Sequence, residues 1–190
     1  MPYDPEHHAR RSIRLRDYDY AQCGAYFITM CIQHRECLLG TVVDGVMESN
    51  EAGKMVQSAW EVLPKRFPSI LFDAFVVMPN HVHGIVMIVP PKQKPQSKKG
   101  AASSAPTVGN ILRAFKSISA IHVNSLLSRS DRPLWQRNYY EHIIRNEAAL
   151  ARAREYIAMN PRRWHLDWDN PNVVGAASSA PTTWIIPILM

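Results

Sequence analysis

No run of apolar residues approaches the roughly 20 that a membrane-spanning helix needs, so no helical membrane span is expected. Cysteine is scarce. Cys23, Cys31 and Cys37 form an odd set in 190 residues, which builds no disulfide framework and points to a reducing, cytoplasmic setting. The opening MPYDPEHHARR holds no apolar targeting core. Acidic residues are too few to balance the basic ones: 16 Asp and Glu stand against 22 Lys and Arg, a formal charge of +6. That imbalance turns the search for partners toward polyanions. What remains is the composition of a globular protein, 46% hydrophobic and 20% charged, long enough for one domain with a real core.

The chain opens on a polar, basic stretch with Arg10, Arg11, Arg14 and Arg16 close together, either a solvated arm or one that lies on phosphates. AYFITMCIQ (25–33) has the aromatic and β-branched content of a strand. Residues 49–67 open with capping residues and space Met55, Val56, Ala59, Trp60 and Leu63 as one helix face. ILFDAFVVM (70–78) and HVHGIVMIV (81–89) flank the turn Pro79-Asn80 and read as a hairpin. PPKQKPQSKKGAASSAPT (90–107) has no periodicity and four lysines, Lys92, Lys94, Lys98 and Lys99, as expected of a mobile basic loop. Its GAASSAPT recurs word for word at 175–182, too short a unit to build a repeat architecture.

Helical spacing returns over 108–127, where Val108, Ile111, Leu112, Phe115 and Ile118 form the apolar stripe. PLWQRNYYEHIIR (133–145) reads as a loop running into a strand, and 146–160 as a helix stopped by Pro161. The order β-α-β-β-α-β plus a last helix predicts an α+β, ferredoxin-like fold with an antiparallel sheet. Residues 1–168 form its one domain, with 90–107 a loop and 169–190 a tail. In the usual strand order the strand 81–89 is central.

That strand starts with His81-Val82-His83. Side chains two apart share a strand face, so both imzidazoles project side by side, either as a metal-ligand pair or as two histidines near a loop. Tyr156 and Asn160 are four apart and stack on one face of the last helix. Laid on the open sheet face, that helix would bring a phenolic oxygen and a neutral oxygen ligand to the imidazoles. The plainer alternative is a tyrosine at a helix–sheet contact and an asparagine at a helix end. Cys31-x-x-His34-x-x-Cys37 lacks a fourth ligand at zinc-site spacing.

Together, MPNHVHGIV, the segment 135–161 and the opening RRSIRLRDYDY (10–20) resemble the HUH single-tyrosine transposases, and among them the REP-associated tyrosine transposases. The resemblance covers roughly residues 8–165. It implies that His81 and His83 are metal ligands, that Asn160 completes the site, and that Tyr156 is the nucleophile. The activity implied is cleavage and rejoining of single-stranded or hairpin DNA through a 5′-phosphotyrosine, assisted by Mg²⁺ or Mn²⁺. Arg10, Arg11, Arg14, Arg16, Arg113, Lys116 and Arg137 would meet phosphates, with Trp135, Tyr139 and Tyr140 as stacking faces, Trp135 reading equally well as core packing. A homodimer and a monomer are both compatible with the resemblance. Competing readings are a non-catalytic single-strand binder of ferredoxin-like fold and a metal-dependent hydrolase using water.

Overall fold

The computed structural model describes residues 22–90 and 107–173. The arm with Arg10, Arg11, Arg14 and Arg16, nearly all of the lysine-rich loop and the end of the tail lie outside them. Strand β1 (Gly24–Cys31) is followed by a short 3-10 turn (Gln33–Arg35) and a small hairpin, β2 (Gly40–Val43) and β3 (Val46–Ser49). Helices α1 (Glu51–Glu61) and α2 (Leu63–Arg66) lead to strands β4 (Ile70–Val77) and β5 (His81–Ile88). After the loop come α3 (Val108–Leu126), β6 (Tyr140–Ile144), α4 (Glu147–Met159) and a 3-10 turn, Pro161–Leu166.

The main sheet has the order β4-β5-β1-β6 with every pairing antiparallel. This is the expected ferredoxin-like α+β arrangement, and β5 lies between two neighbours. The hairpin β2–β3 is an addition that the sequence reading passed over. Pro161 ends α4, yet the chain continues directly into a 3-10 turn rather than leaving the domain. Asp169 and Asn170, assigned by sequence to a tail, are buried.

Local chemistry explains the elements. Asn50 caps α1 by accepting from Gly53 N at 3.0 Å, and Asn146 caps α4 by accepting from Ala149 N at 2.8 Å. One sheet face meets α1 and α3: Tyr26, Ile28, Val82 and Val86 pack with Val56, Trp60, Ile111 and Phe115. Among the described residues the opposite face meets α4, where Phe27, Ile85 and Ile144 pack with Ala149, Leu150, Ala153 and Ile157. The period-2 alternation of β1 and β5 thus separates a large core from a smaller face that carries the histidines.

Gly84 makes room for the ring of Trp60, which stacks on Phe75 at 4.4 Å. A Cβ at Gly84 would stand 2.8 Å from one Trp60 carbon and 3.0 Å from Phe75. Gly84→Ala should therefore destabilise the domain by about 1–3 kcal/mol through overpacking, read as a lower denaturation midpoint with an unchanged m-value.

Asp73 clamps α4 onto β4. Arg154 Nε donates to its two carboxylate oxygens at 2.9 and 3.1 Å, Arg154 Nη2 donates at 2.5 Å, and Ala74 N donates at 2.7 Å. The Arg154 hydrogen bonds hold the Asp73 carboxyl below the usual carboxylate range. A depressed carboxyl stabilises the fold above its unfolded value of about 3.9, and that contribution fades as pH falls through the folded value. Asp73→Asn should therefore melt earlier than the parent at pH 7, with the gap closing below about pH 4 in thermal melts.

Candidate functional site

The site forms where β5 begins, on the face covered by α4. His81 and His83 share that face, and their Nε2 atoms lie 3.1 Å apart. Both are buried, at 0% and 1% exposure. In the β1–β5 register Cys31 pairs with His81 and Thr29 with His83.

Each imidazole is held from behind. The Asn80 amide nitrogen donates to the backbone carbonyls of Arg35 at 3.0 Å and Asp169 at 2.5 Å. With both amide hydrogens used, the amide oxygen faces His81 Nδ1 at 2.9 Å and can only accept. His81 therefore carries a proton on Nδ1, so a neutral His81 ring presents an unprotonated Nε2. Thr29 Oγ1 lies 2.9 Å from His83 Nδ1. With the His81 ring neutral, the close Nε2 pair takes its donor from His83, and the Thr29 hydroxyl then donates to His83 Nδ1. Burial, and next the neighbouring His81, push the His83 pKa well below its ordinary value, so this ring is neutral at pH 7.

Tyr156 projects from α4 onto the pair. Its ring meets His83 edge-on at 5.2 Å and Phe27 at 5.7 Å. Burial pushes the phenol upward first, the carboxylates of Asp167 and Asp169 add to this, and a hydrogen bond from the Asn160 side chain works against it. The phenol is fully protonated at neutral pH. Asn160 is 3% exposed, and its Oδ1 is buried without a hydrogen-bond partner.

The sequence reading missed Asp167. Its Oδ2 is 3.9 Å from His81 Nε2, and its Oδ1 accepts from Asp169 N at 2.8 Å. Among the described residues His81, His83 and Asp167 are the one group of three metal-ligating side chains whose donor atoms converge, all within 4.8 Å. Asp169 fixes the segment by an ion pair with Arg35 at 3.0 Å and accepts from the Cys31 thiol at 3.8 Å. The Trp164 ring lies 5.9 Å from that of His81. Cys31, His34 and Cys37 do not converge, and Cys37 is exposed.

The donor set suits a divalent ion. Two ligand atoms about 2.1 Å from one ion lie about 3 Å apart in neighbouring coordination positions, close to the observed Nε2 spacing. The Asp167 carboxylate supplies an oxygen donor beside the two nitrogens.

The residues expected to grip phosphates and bases divide. Arg113 and Arg137 are exposed. The Lys116 ammonium instead donates to the carbonyls of Gln136, Arg137 and Asn138 at 2.8, 3.3 and 3.1 Å, so it fastens the loop that presents Arg137. Burial lowers its pKa to about 8, which still leaves it charged at pH 7. Trp135 corrects the sequence reading: it is 6% exposed, with Nε1 donating to Ser119 Oγ at 2.9 Å and its ring 5.6 Å from Phe115. A backbone bridge to Ile32 turns it inward, so it offers no face to a base. The Tyr139 ring takes the Lys116 ammonium at 5.4 Å. Tyr140 pairs with Thr29 across the strands and packs near Phe27, on the face of the site.

An uncharacterized protein of Haemophilus influenzae (strain Rd) is 40% identical over 175 residues, which cover 87% of this chain and 95% of that one. The chain belongs to that protein's family. No protein-family model matches the chain. A solved structure, that of a REP-associated tyrosine transposase bound to a REP hairpin, superposes with a TM-score of 0.53 at 22% identity, covering 80% of this chain and 73% of that one. The chain thus shares the fold of that transposase. No helix among the described residues is long and apolar enough to cross a membrane.

Proposed function

We propose that the protein is a single-tyrosine DNA transposase of the REP-associated kind, cutting and rejoining single-stranded or hairpin DNA. The observation that carries the reading is Tyr156 packed at 5.2 Å on His83 while the two imidazole Nε2 atoms converge at 3.1 Å. The fold shared with a transposase that holds a REP hairpin supports the class of substrate.

In this reading the Tyr156 oxygen attacks the scissile phosphorus. The bond from phosphorus to the 3′-oxygen breaks, the phenolic proton is lost to solvent, and the leaving oxygen gains a proton as a 3′-hydroxyl. The 5′-phosphate stays on Tyr156, and attack by another 3′-hydroxyl reverses the step. His81, His83 and the oxygens of Asn160 and Asp167 would hold Mn²⁺ or Mg²⁺, with the two nitrogens favouring Mn²⁺. When bound, the ion supplies charge that orients the scissile phosphate and offsets charge on the leaving oxygen. The Asp167 carboxylate, which raises the Tyr156 pKa, would as a ligand no longer oppose ionisation of the phenol. The Phe27 and His83 rings fix the phenol for in-line approach. Arg113 and Arg137 are candidates for phosphate contact, as are Arg10, Arg11, Arg14 and Arg16.

Covered sheet faces weigh against a non-catalytic binder that stacks bases on central strands, since β5 starts with buried histidines. Incubating end-labelled hairpin DNA with protein and Mn²⁺, then running a denaturing gel, tests the proposal. A downstream fragment linked to the protein through its 5′-phosphate and a free upstream fragment ending in a 3′-hydroxyl are expected. Cleavage with no protein-linked product would instead assign a water nucleophile, and no cleavage at all would leave only binding.

A further inference from the structure

We propose that Asn80 is the positioning residue of the histidine pair, an inference that rests on the metal site proposed above. Its amide oxygen holds His81 in the Nδ1–H tautomer with a bare Nε2 facing His83. Its amide nitrogen pins the Asp169 carbonyl, so that Asp167 arrives at the same point.

Asn80 is completely buried, and three segments distant in sequence meet on its side chain. The turn before β5 supplies Asn80 itself, the 3-10 turn after β1 supplies the Arg35 carbonyl, and the chain beyond α4 supplies the Asp169 carbonyl. Every hydrogen-bonding group of the amide is therefore engaged, and its orientation is unambiguous. A carbonyl oxygen cannot donate, so His81 Nδ1 must. Thr29 differs in kind: its hydroxyl both donates and accepts, so His83 is free to change tautomer when its Nε2 is needed as a ligand. One imidazole is fixed and the other adaptable. The Asp169 contact carries the same residue's influence to the carboxylate, because Asp167 accepts from Asp169 N only two residues away. Groups that orient ligands in this way commonly tune metal affinity about 10–100-fold.

Long-range ¹H–¹⁵N spectra of metal-free protein, assigned with His81→Ala, read the tautomer directly and need no Asn80 variant. A single Nδ1–H tautomer of the His81 ring is expected; an Nε2–H tautomer or averaged shifts would overturn the proposal. Mn²⁺ titration followed by electron paramagnetic resonance tests the consequence. Asn80→Ala should bind Mn²⁺ about 10–100-fold more weakly than the parent, with single-strand binding in EDTA and the far-ultraviolet circular dichroism unchanged. Unaltered Mn²⁺ affinity in Asn80→Ala, with affinity lost in His81→Ala, would overturn it. Unaltered affinity in His81→Ala overturns the metal-site reading instead, and the tautomer spectrum then decides the inference alone.

Discussion

Tyr156→Phe is expected to abolish the covalent protein–DNA adduct while leaving single-strand binding at the level of the parent. The change removes one oxygen and keeps the ring, so the contacts with His83 and Phe27 persist. The stability cost is the hydrogen bond from Asn160, about 1 kcal/mol. Loss of a covalent nucleophile costs far more, about 10⁴-fold or greater in rate, because the phosphotyrosine can no longer form at that position. The measurement is a denaturing gel of labelled hairpin DNA beside a binding assay in EDTA. A residual adduct would transfer the role to Tyr140, which shares the face of the site, rather than to Tyr139, whose ring is engaged with Lys116. Adding Tyr140→Phe would then remove it.

The second large effect belongs to the histidines. His81→Ala and His83→Ala should each lower single-turnover cleavage by about 10²–10⁴-fold, the rate equivalent of several kcal/mol of charge stabilisation. Asn160→Ala and Asp167→Asn should each cost less, about tenfold, because water can replace one oxygen ligand. The ranking matters more than the values. Both histidines are buried and held from behind, whereas Asp167 stands on a turn after α4. Cleavage that survives loss of both imidazoles would sink the metal assignment. A defect in Asp167→Asn equal to that of the histidine variants would make the carboxylate a principal ligand.

Much of this site could be read from spacing. The period of two in β5 puts His81 and His83 on one face, and the period near four in α4 puts Tyr156 and Asn160 on another. Strand order then stacks those faces. The hairpin β2–β3 had a signal that was passed over: Asp44-Gly45 between valines, with both residues at positive φ, 50° and 76°. Asp167 had none, because its position depends on the 3-10 turn after Pro161 and on the anchoring of Asp169 by Arg35 and Asn80. Trp135 misled because an aromatic beside Arg137 reads as a stacking platform. Its direction is set by Ser119 and Ile32, distant in sequence, and no local pattern encodes that.

Only Arg145 and Asn146 separate β6 from α4, and the Arg154–Asp73 clamp fastens the helix to the far strand. The helix that carries the tyrosine is thus tied to the sheet at β6 and again at β4. A chain built this way resembles a dock with a single berth. In the proposed function, a 5′ end moored on Tyr156 would then stay where it is, and the second strand would have to come to it. Exchange of partners then falls to the nucleic acid, whose own pairing must hold the departing 3′ end nearby or bring the next one in. Hairpin structure in the DNA would thus be part of the machinery and not only an address.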